Sequence, residues 1–408
     1  MVKAVKVMLH PNKKQTTTLG ASAGAARFAY NWALGREQEN YKNGGKFISD
    51  EELRKEFTQL KKTKEHAWLN GYSNNITKQA IKGWQLCCHA AKRHSPKGLP
   101  KDACNAYLKF FKGETKFPKF KKKKETKPSF YVDTDKIQFT EKKVKLEKLT
   151  TSRKKKKQKF NWIRLTEQNR IPTDGKYSNP RVTFDGIHWW ISVGIEYPEQ
   201  AGIGISEQDG IGIDLGIQDL AVCSDETTYE NINKTLKIKK LEKKKRRLQR
   251  SLSRRYEKNK KGENYCKTNN IIKGEQELLK LNHRLTNLRQ NYLHQTTTEI
   301  INRKPKFIVL EDLNVKGMMK NKHLSKAIQQ QCFREFRRQI EYKSEWNHIP
   351  VIIADRFFPS SKLCSYCGTI KKDLKLKDRM YHCEACGMTL DRDKNASINL
   401  RNYEESIA

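Results

Sequence analysis

Residues 358–369, FPSSKLCSYCGT, and 381–400, YHCEACGMTLDRDKNASINL, decide how this chain reads. Cys364 and Cys367 make one C-x2-C knuckle, Cys383 and Cys386 make a second, and each runs into glycine, as CSYCG and CEACG. A glycine there lets the backbone turn tightly, so that two thiolates point at one ion. Four thiolates at this spacing satisfy a tetrahedral structural Zn2+ site of the ribbon type. Asp391 and Asp393 follow in DRDKNA. Hard carboxylates beside a soft thiolate site point to a second metal with a different task, Mg2+.

Composition sets the partner class. The chain has 408 residues, long enough for two or more domains, and carries 84 Lys+Arg against 45 Asp+Glu, a formal charge of +39. An enzyme of small molecules has little use for that excess, which attracts a polyanion such as nucleic acid or anionic membrane. No run of eighteen apolar residues is present to span a bilayer. The start, MVKAVKVMLHPNKKQ, lacks the apolar core and small-residue cleavage site of a signal peptide. Cys87, Cys88, Cys104, Cys223, Cys266 and Cys332 show no framework spacing and read as reduced thiols. The expectation is a polyanion-binding protein of the prokaryotic cytoplasm or nucleoid.

Periodicity divides the chain into an α/β part with β-rich and helical modules. VKAVKVML alternates in period two, as a strand does. Residues 15–112 turn helical, with Phe28, Trp32 and Leu34 near one face and a capping box at Ser49 and Glu52. Residues 113–205 return to strands, among them RVTFDGIHWWISVGIEY, and together with 1–14 make a β-rich module. The basic run Arg153–Lys157 falls in a loop, and lysines interleaved with aromatics suit backbone tracking with base stacking. Residues 206–408 alternate strands and helices, as an α/β domain does, with a helical hairpin at 234–300 and the zinc ribbon at 360–390. SKAIQQQCFREFRRQIEYKSEWN reads as one amphipathic helix.

Three acids stand at the edges of these elements. Asp214 follows Ile211-Gly212-Ile213, Glu311 follows Phe307-Ile308-Val309-Leu310, and Asp391 opens the last helix. An acid at the end of a buried strand is expensive to desolvate unless a cation or donor meets it. Three converging on one sheet would hold two divalent ions about 4 Å apart, the arrangement that activates water for phosphodiester cleavage.

GIDLGIQDLAV, FIVLEDLNVKGM and CSYCG…CEACG…LDRDKNASINL resemble the three segments of a split RuvC-type nuclease domain with an inserted zinc ribbon. Their order resembles that of the transposon-encoded TnpB family, RNA-guided DNA nucleases similar to type V CRISPR effectors. RFAYNW, NITKQAIKGW and FPKFKKK resemble that family's recognition lobe and wedge. The resemblance implies a wedge-type β module with an inserted helical recognition lobe, followed by an RNase H-like nuclease domain. It implies Asp214, Glu311 and Asp391 as the Mg2+-binding catalytic triad, two Mg2+ ions, and Asp393 and Asn395 in support. It implies guide RNA as a cofactor and double-stranded target DNA as a partner, with pairing reading the target and the protein reading a short flanking motif. Tyr30, Asn75, Lys78, Gln79, Lys82, Phe117, Lys119 and Lys121 become the candidate nucleic-acid contacts, and the amides and ammoniums of the 75–84 helix suit base edges in a groove.

Two other readings account for part of the same residues. A guide-RNA-directed repressor that does not cut would have lost catalytic acids, and all three are here. A zinc-ribbon DNA-binding accessory protein explains the cysteines and the charge but leaves Asp214 and Glu311 without a purpose. A DDE-type transposase would also use three acids, but the ribbon just ahead of DRDKNA favours the RuvC type.

Overall fold

β1 (Val2–His10) realises the alternation of VKAVKVML by burying Val7 and Leu9. It pairs antiparallel with β7 (Trp189–Glu196), from Val2↔Glu196 to Leu9↔Trp189. β7 buries Trp189, Ile191, Val193 and Ile195 and turns the residues between them outward, as period two requires. The computed structural model describes residues 2–81, 110, 112–113, 116–149, 158–198, 209–375 and 378–403. Lys82 and the basic run 153–157 lie outside the described residues.

The chain divides into two units, Met1–Pro198 and Glu199–Ala408. In the first, β2 (Ser129–Tyr131), β3 (Gln138–Phe139), β4 (Lys143–Lys145), β5 (Trp162–Leu165) and β6 (Tyr177–Phe184) join β1 and β7 in a seven-stranded sheet, ordered β2-β6-β7-β1-β5-β4-β3. Between β1 and β2 in sequence come α1 (Lys13–Lys42), α2 (Asp50–Leu60) and α3 (Asn74–Ile81). Asn12 and Gln15 form a capping box, and the Gln15 amide then donates to the carbonyls of Phe160 (2.9 Å) and Trp162 (3.0 Å). The start of α1 is thereby fastened to β5. α1 buries Ala23, Ala25, Ala26, Ala29 and Ala33, small side chains that let its neighbours approach closely. The predicted Ser49–Glu52 capping box forms at α2.

The second unit is built on β8 (Ile211–Asp214), β9 (Asp219–Cys223) and β10 (Thr228–Glu230). Next comes a hairpin of α4 (Leu236–Lys258) and α5 (Asn269–Asn302), tipped by the short strands β11 (Lys260–Lys261) and β12 (Asn264–Tyr265). β13 (Ile308–Glu311), α6 (Val315–Met318), α7 (Ser325–Gln331), α8 (Phe333–Trp346) and β14 (Val351–Ala354) follow. The chain then forms β15 (Met380–His382), β16 (Thr389–Asp391) and α9 (Arg392–Arg401). The main sheet runs β10-β9-β8-β13-β14, with β8, β13 and β14 mutually parallel. Both faces of the parallel strands are covered, so IGI and IVL read as unbroken apolar runs.

The single amphipathic helix expected over 325–347 is broken. Cys332 adopts a left-handed conformation (φ 57°) that ends α7 and starts α8. At the break the Gln331 amide donates to the Gly216 carbonyl (2.9 Å), so a buried polar contact holds the kink. Phe333, Phe336 and Ile340 still enter the core, as their spacing predicts.

α9 lies directly on β8. A Cβ at Gly212 would stand 2.1 Å from the Ser397 carbonyl oxygen and 2.3 Å from the Arg401 nitrogen, both backbone atoms that cannot swing aside. Gly212→Ala should therefore force helix and strand apart and lower stability by about 1–3 kcal/mol. Thermal unfolding checks this, and an unchanged melting temperature would mean that α9 shifts without cost.

Candidate active site and metal centre

The four cysteines converge. Each offers a sulfur, and these atoms all lie within 4.8 Å of one another. Cys364 Sγ is 3.7 Å from Cys386 Sγ and Cys367 Sγ is 3.5 Å from Cys383 Sγ, far beyond a disulfide bond. A tetrahedron of 2.3 Å Zn–S bonds has edges of roughly 3.8 Å, so the donor set fits Zn2+. The two knuckles are built alike. Gly368 and Gly387 both sit at φ +73°, and their N–H groups donate to the carbonyls of Cys364 (3.0 Å) and Cys383 (2.9 Å). The Cys364 and Cys383 N–H groups donate in turn to the carbonyls of Thr369 and Met388, each at 2.9 Å. The Thr369 hydroxyl and backbone hold the Cys367 thiol down to about 6, which favours the thiolate that a metal binds.

The knuckles are tied to α9. Fully buried Asn395 accepts from the Ser365 N–H (3.0 Å) and donates to the Leu363 carbonyl (2.7 Å). One turn on, the Asn399 amide donates to the carbonyls of Ser360 and Leu363, both at 2.7 Å. Asn395 therefore supports the site through the first knuckle, a route different from contact with the acids.

Asp214 and Glu311 end adjacent parallel strands, β8 and β13, and Leu310 pairs with Ile213 just before them. Burial pushes the Asp214 carboxyl up to about 8; Asp393, Glu311 and, more weakly, Asp391 push the same way, against Arg392. Burial, with Asp312 adding to it, also raises Glu311. Desolvated acids with so little positive charge beside them fit a cation site. The carboxylates are not collapsed on one point. Among the described residues, only the cysteines bring three or more ligand atoms within 4.8 Å.

The two aspartates of DRDKN divide their duties. Asp391 caps α9, with Oδ1 accepting from the N–H groups of Asp393 (2.9 Å) and Lys394 (3.1 Å). Asp393 is the larger electrostatic neighbour of Asp214 and is held by Arg392 (3.3 Å) and Arg379 (3.5 Å). Both line an open cleft with Gln218, Glu226, Thr228 and Arg379.

In the first unit the candidate contacts scatter. Tyr30 is a correction, because it is buried in the helical core with Lys121 Nζ 3.5 Å from its ring centroid, so that it presents no stacking face. The Asn75 amide is taken by Asp133. Lys78 is exposed, as are Lys119 and Phe117, whose ring meets Phe110 edge-on. Gln79 and Lys121 line a cleft with Arg27, Lys127 and Arg181, and no acid is among the described residues that line it.

Three family models match parts of the chain. "Cas12f1-like, TNB domain" covers residues 333–400, "Probable transposase" covers 206–322, and "Helix-turn-helix domain" covers 1–46. The InsQ protein of Escherichia coli (strain K12), named a candidate RNA-guided DNA endonuclease, is 28% identical over 98% of this chain and 91% of its own length. A Streptomyces pristinaespiralis protein with the same description is 27% identical over 98% of this chain and 88% of its own. These matches support a TnpB-like protein. A solved Cas12f1–sgRNA–target DNA complex covers 99% of the chain at 14% identity and a TM-score of 0.35, too loose a likeness to inform the fold. The segment matched as helix-turn-helix is here one strand and one 30-residue helix.

Some residues of this site escape a reading by motif. Arg337 (2.8 Å) and Arg356 both clamp Asp312, directly beside Glu311. Asn399 doubles the tether of Asn395 and is visible in sequence only as a second asparagine four residues on. Elemental analysis of the purified protein should find about one zinc per chain. Cys364→Ser or Cys386→Ser should lose it and loosen the region around α9, because structural zinc contributes folding free energy directly. Protection of the Asn395 and Asn399 amides from hydrogen exchange reports that coupling, and metal-free protein with unchanged protection would refute it.

Proposed function

We propose that this chain is an RNA-guided DNA endonuclease of a transposon, working in the prokaryotic cytoplasm. In this reading the second unit is a RuvC-like nuclease with its zinc ribbon. The sheet of the first unit is the wedge, and the helices between β1 and β2 form the recognition lobe. One observation carries the proposal. Asp214 and Glu311 end neighbouring parallel strands, and α9 lays the DRDKN turn beside them, in a chain that aligns along 98% of its length with a protein named for that activity.

Asp214, Glu311 and the DRDKN turn would hold Mg2+. The geometry favours Asp393 as the carboxylate that faces Asp214, while Asp391 holds the helix start from which Asp393 projects. Bound there, Mg2+ supplies a nucleophilic water and neutralises charge on the phosphate. The protein's share is to keep these carboxylates fixed, with Asp214 and Glu311 poorly hydrated. Arg337 and Arg356 contribute by satisfying Asp312 and leaving Glu311 to the site. Guide pairing selects the target, and Lys78, Gln79 and the cationic cleft beside them are placed in the module that reads the flanking motif.

Cutting of a matched plasmid in Mg2+, with target binding measured separately, tests the acids. Asp214→Ala, Glu311→Ala and Asp393→Ala should abolish cleavage and leave guided binding intact, since pairing energy and basic contacts remain. Asp391→Ala should cost about 1 kcal/mol of capping and retain part of the activity. Complete loss in Asp391→Ala beside an active Asp393→Ala would return the ligand role to Asp391.

The RNA requirement has its own test. Nuclease-stripped protein should be less soluble and melt lower than the ribonucleoprotein, and it should cut no specific DNA. Sequence-specific double-strand cleavage without RNA would make the protein an ordinary metal-dependent endonuclease.

A further inference from the structure

Phe357 is 88% exposed, the most exposed large apolar side chain among the described residues. A lone exposed apolar residue is ordinary on a protein surface. The loop that carries this one is not. The Asp355 N–H donates to the Tyr403 hydroxyl (3.0 Å), and Asp355 Oδ1 accepts from the Phe357 N–H (2.8 Å). Arg356 reaches back to the side chain of Asp312 and to its carbonyl (3.3 Å). The Phe358 ring packs edge-on against Tyr403, 4.8 Å between centroids. Every neighbour of Phe357 along the chain is therefore anchored, and its ring alone is held out into water.

The place of the loop gives that ring a use. β14 pairs in parallel with β13, and Ala354 stands opposite Glu311. Phe357 lies three residues beyond Ala354, on the loop that leaves the same edge of the sheet as the Glu311 carboxylate. Arg356 and Arg337 both pair with Asp312 beside it, and Arg337 pairs with Glu341 as well.

We infer that Phe357 is a positioning residue, a platform on which one base of the DNA strand being cut stacks next to the acidic site. This rests on the nuclease reading above. A single ring flanked by charged side chains matches the area of a base. A stable protein interface needs on the order of 1,000 Å2, far more than one phenylalanine offers. Stacking on an aromatic also tolerates any base, as a nuclease told its target by a guide requires.

The test uses the full ribonucleoprotein on matched DNA. Phe357→Ala should slow cleavage about tenfold, the scale of one lost base–aromatic stack, with zinc content and guided binding unchanged. Phe357→Trp should keep the rate, and Phe357→Leu, apolar but without a π-face, should fall with the alanine variant. In an Asp214→Ala background, 2-aminopurine placed at successive positions around the cut should be quenched at one position, and Phe357→Ala should restore its emission. Equal rates for wild type and Phe357→Ala, rescue by leucine as good as by tryptophan, or no position responding in fluorescence would each overturn the inference. A wild-type complex that binds its target but never cuts would instead count against the nuclease reading, and the fluorescence arm would still judge Phe357.

Discussion

The second unit turns on the contact of α9 with β8 at Gly212. A helix normally stands off a sheet by the length of its side chains, and here one missing Cβ lets the Ser397 and Arg401 backbone touch the strand. That closeness decides where the helix start falls, and with it the distance from Asp393 to Asp214. Asn395 and Asn399, on the same helix, carry the zinc knuckle. Strand, helix and knuckle are thus one mechanical piece. The metal expected at the cysteines and the metal expected at the acids are linked through a single helix of ten residues.

The acids show how sharply local partners separate neighbouring residues. Glu311 and Asp312 are adjacent, yet Arg356 and Arg337 hold Asp312 below the usual carboxylate range while burial raises Glu311. A different division appears at DRDKN, where Asp391 meets backbone N–H groups and Asp393 is the stronger charge neighbour of Asp214. In the first pair two arginines satisfy Asp312 and leave Glu311 without them; in the second Asp391 is taken by its own helix and Asp393 is held by Arg392 and Arg379. Asp312 and Asp391 are satisfied within the fold, while the burial of Asp214 and Glu311 is a cost that a cation can offset.

Much of this was legible because its causes are local. Knuckle spacing and the glycine after each second cysteine dictate the positive-φ turns within a few residues. Strand ends, the Ser49–Glu52 capping box and the α4–α5 hairpin follow equally short patterns. What stayed hidden depends on distant chain. Tyr30 is a candidate contact by resemblance until Asn31 pairs with the backbone of Lys121, ninety positions away, and seats that lysine over its ring. The kink at Cys332 depends on a carbonyl at Gly216. No periodicity could show that Asp391, rather than Asp393, turns back to cap its own helix.

The same dependence on an absent partner governs the charge. α4 buries only Ile238 and Leu252, and most of its other positions are lysine or arginine. Like charges at i,i+4 disfavour a lone helix, so α4 draws its order from α5. Leu252 lies where a Cβ at Gly274 would be 2.7 Å away, and Glu242 meets Arg289 at 2.8 Å with both side chains largely buried. Those contacts fix one face and leave the basic face pointing outward. Repulsion along that face is relieved only by anions from outside, and a polyanion lying on it releases counterions as well. The +39 charge is therefore a constraint of the same kind as the desolvated Asp214 and Glu311. In both places the sequence keeps a local excess of one sign, and the folded chain is electrostatically complete only with the ligand that carries the other.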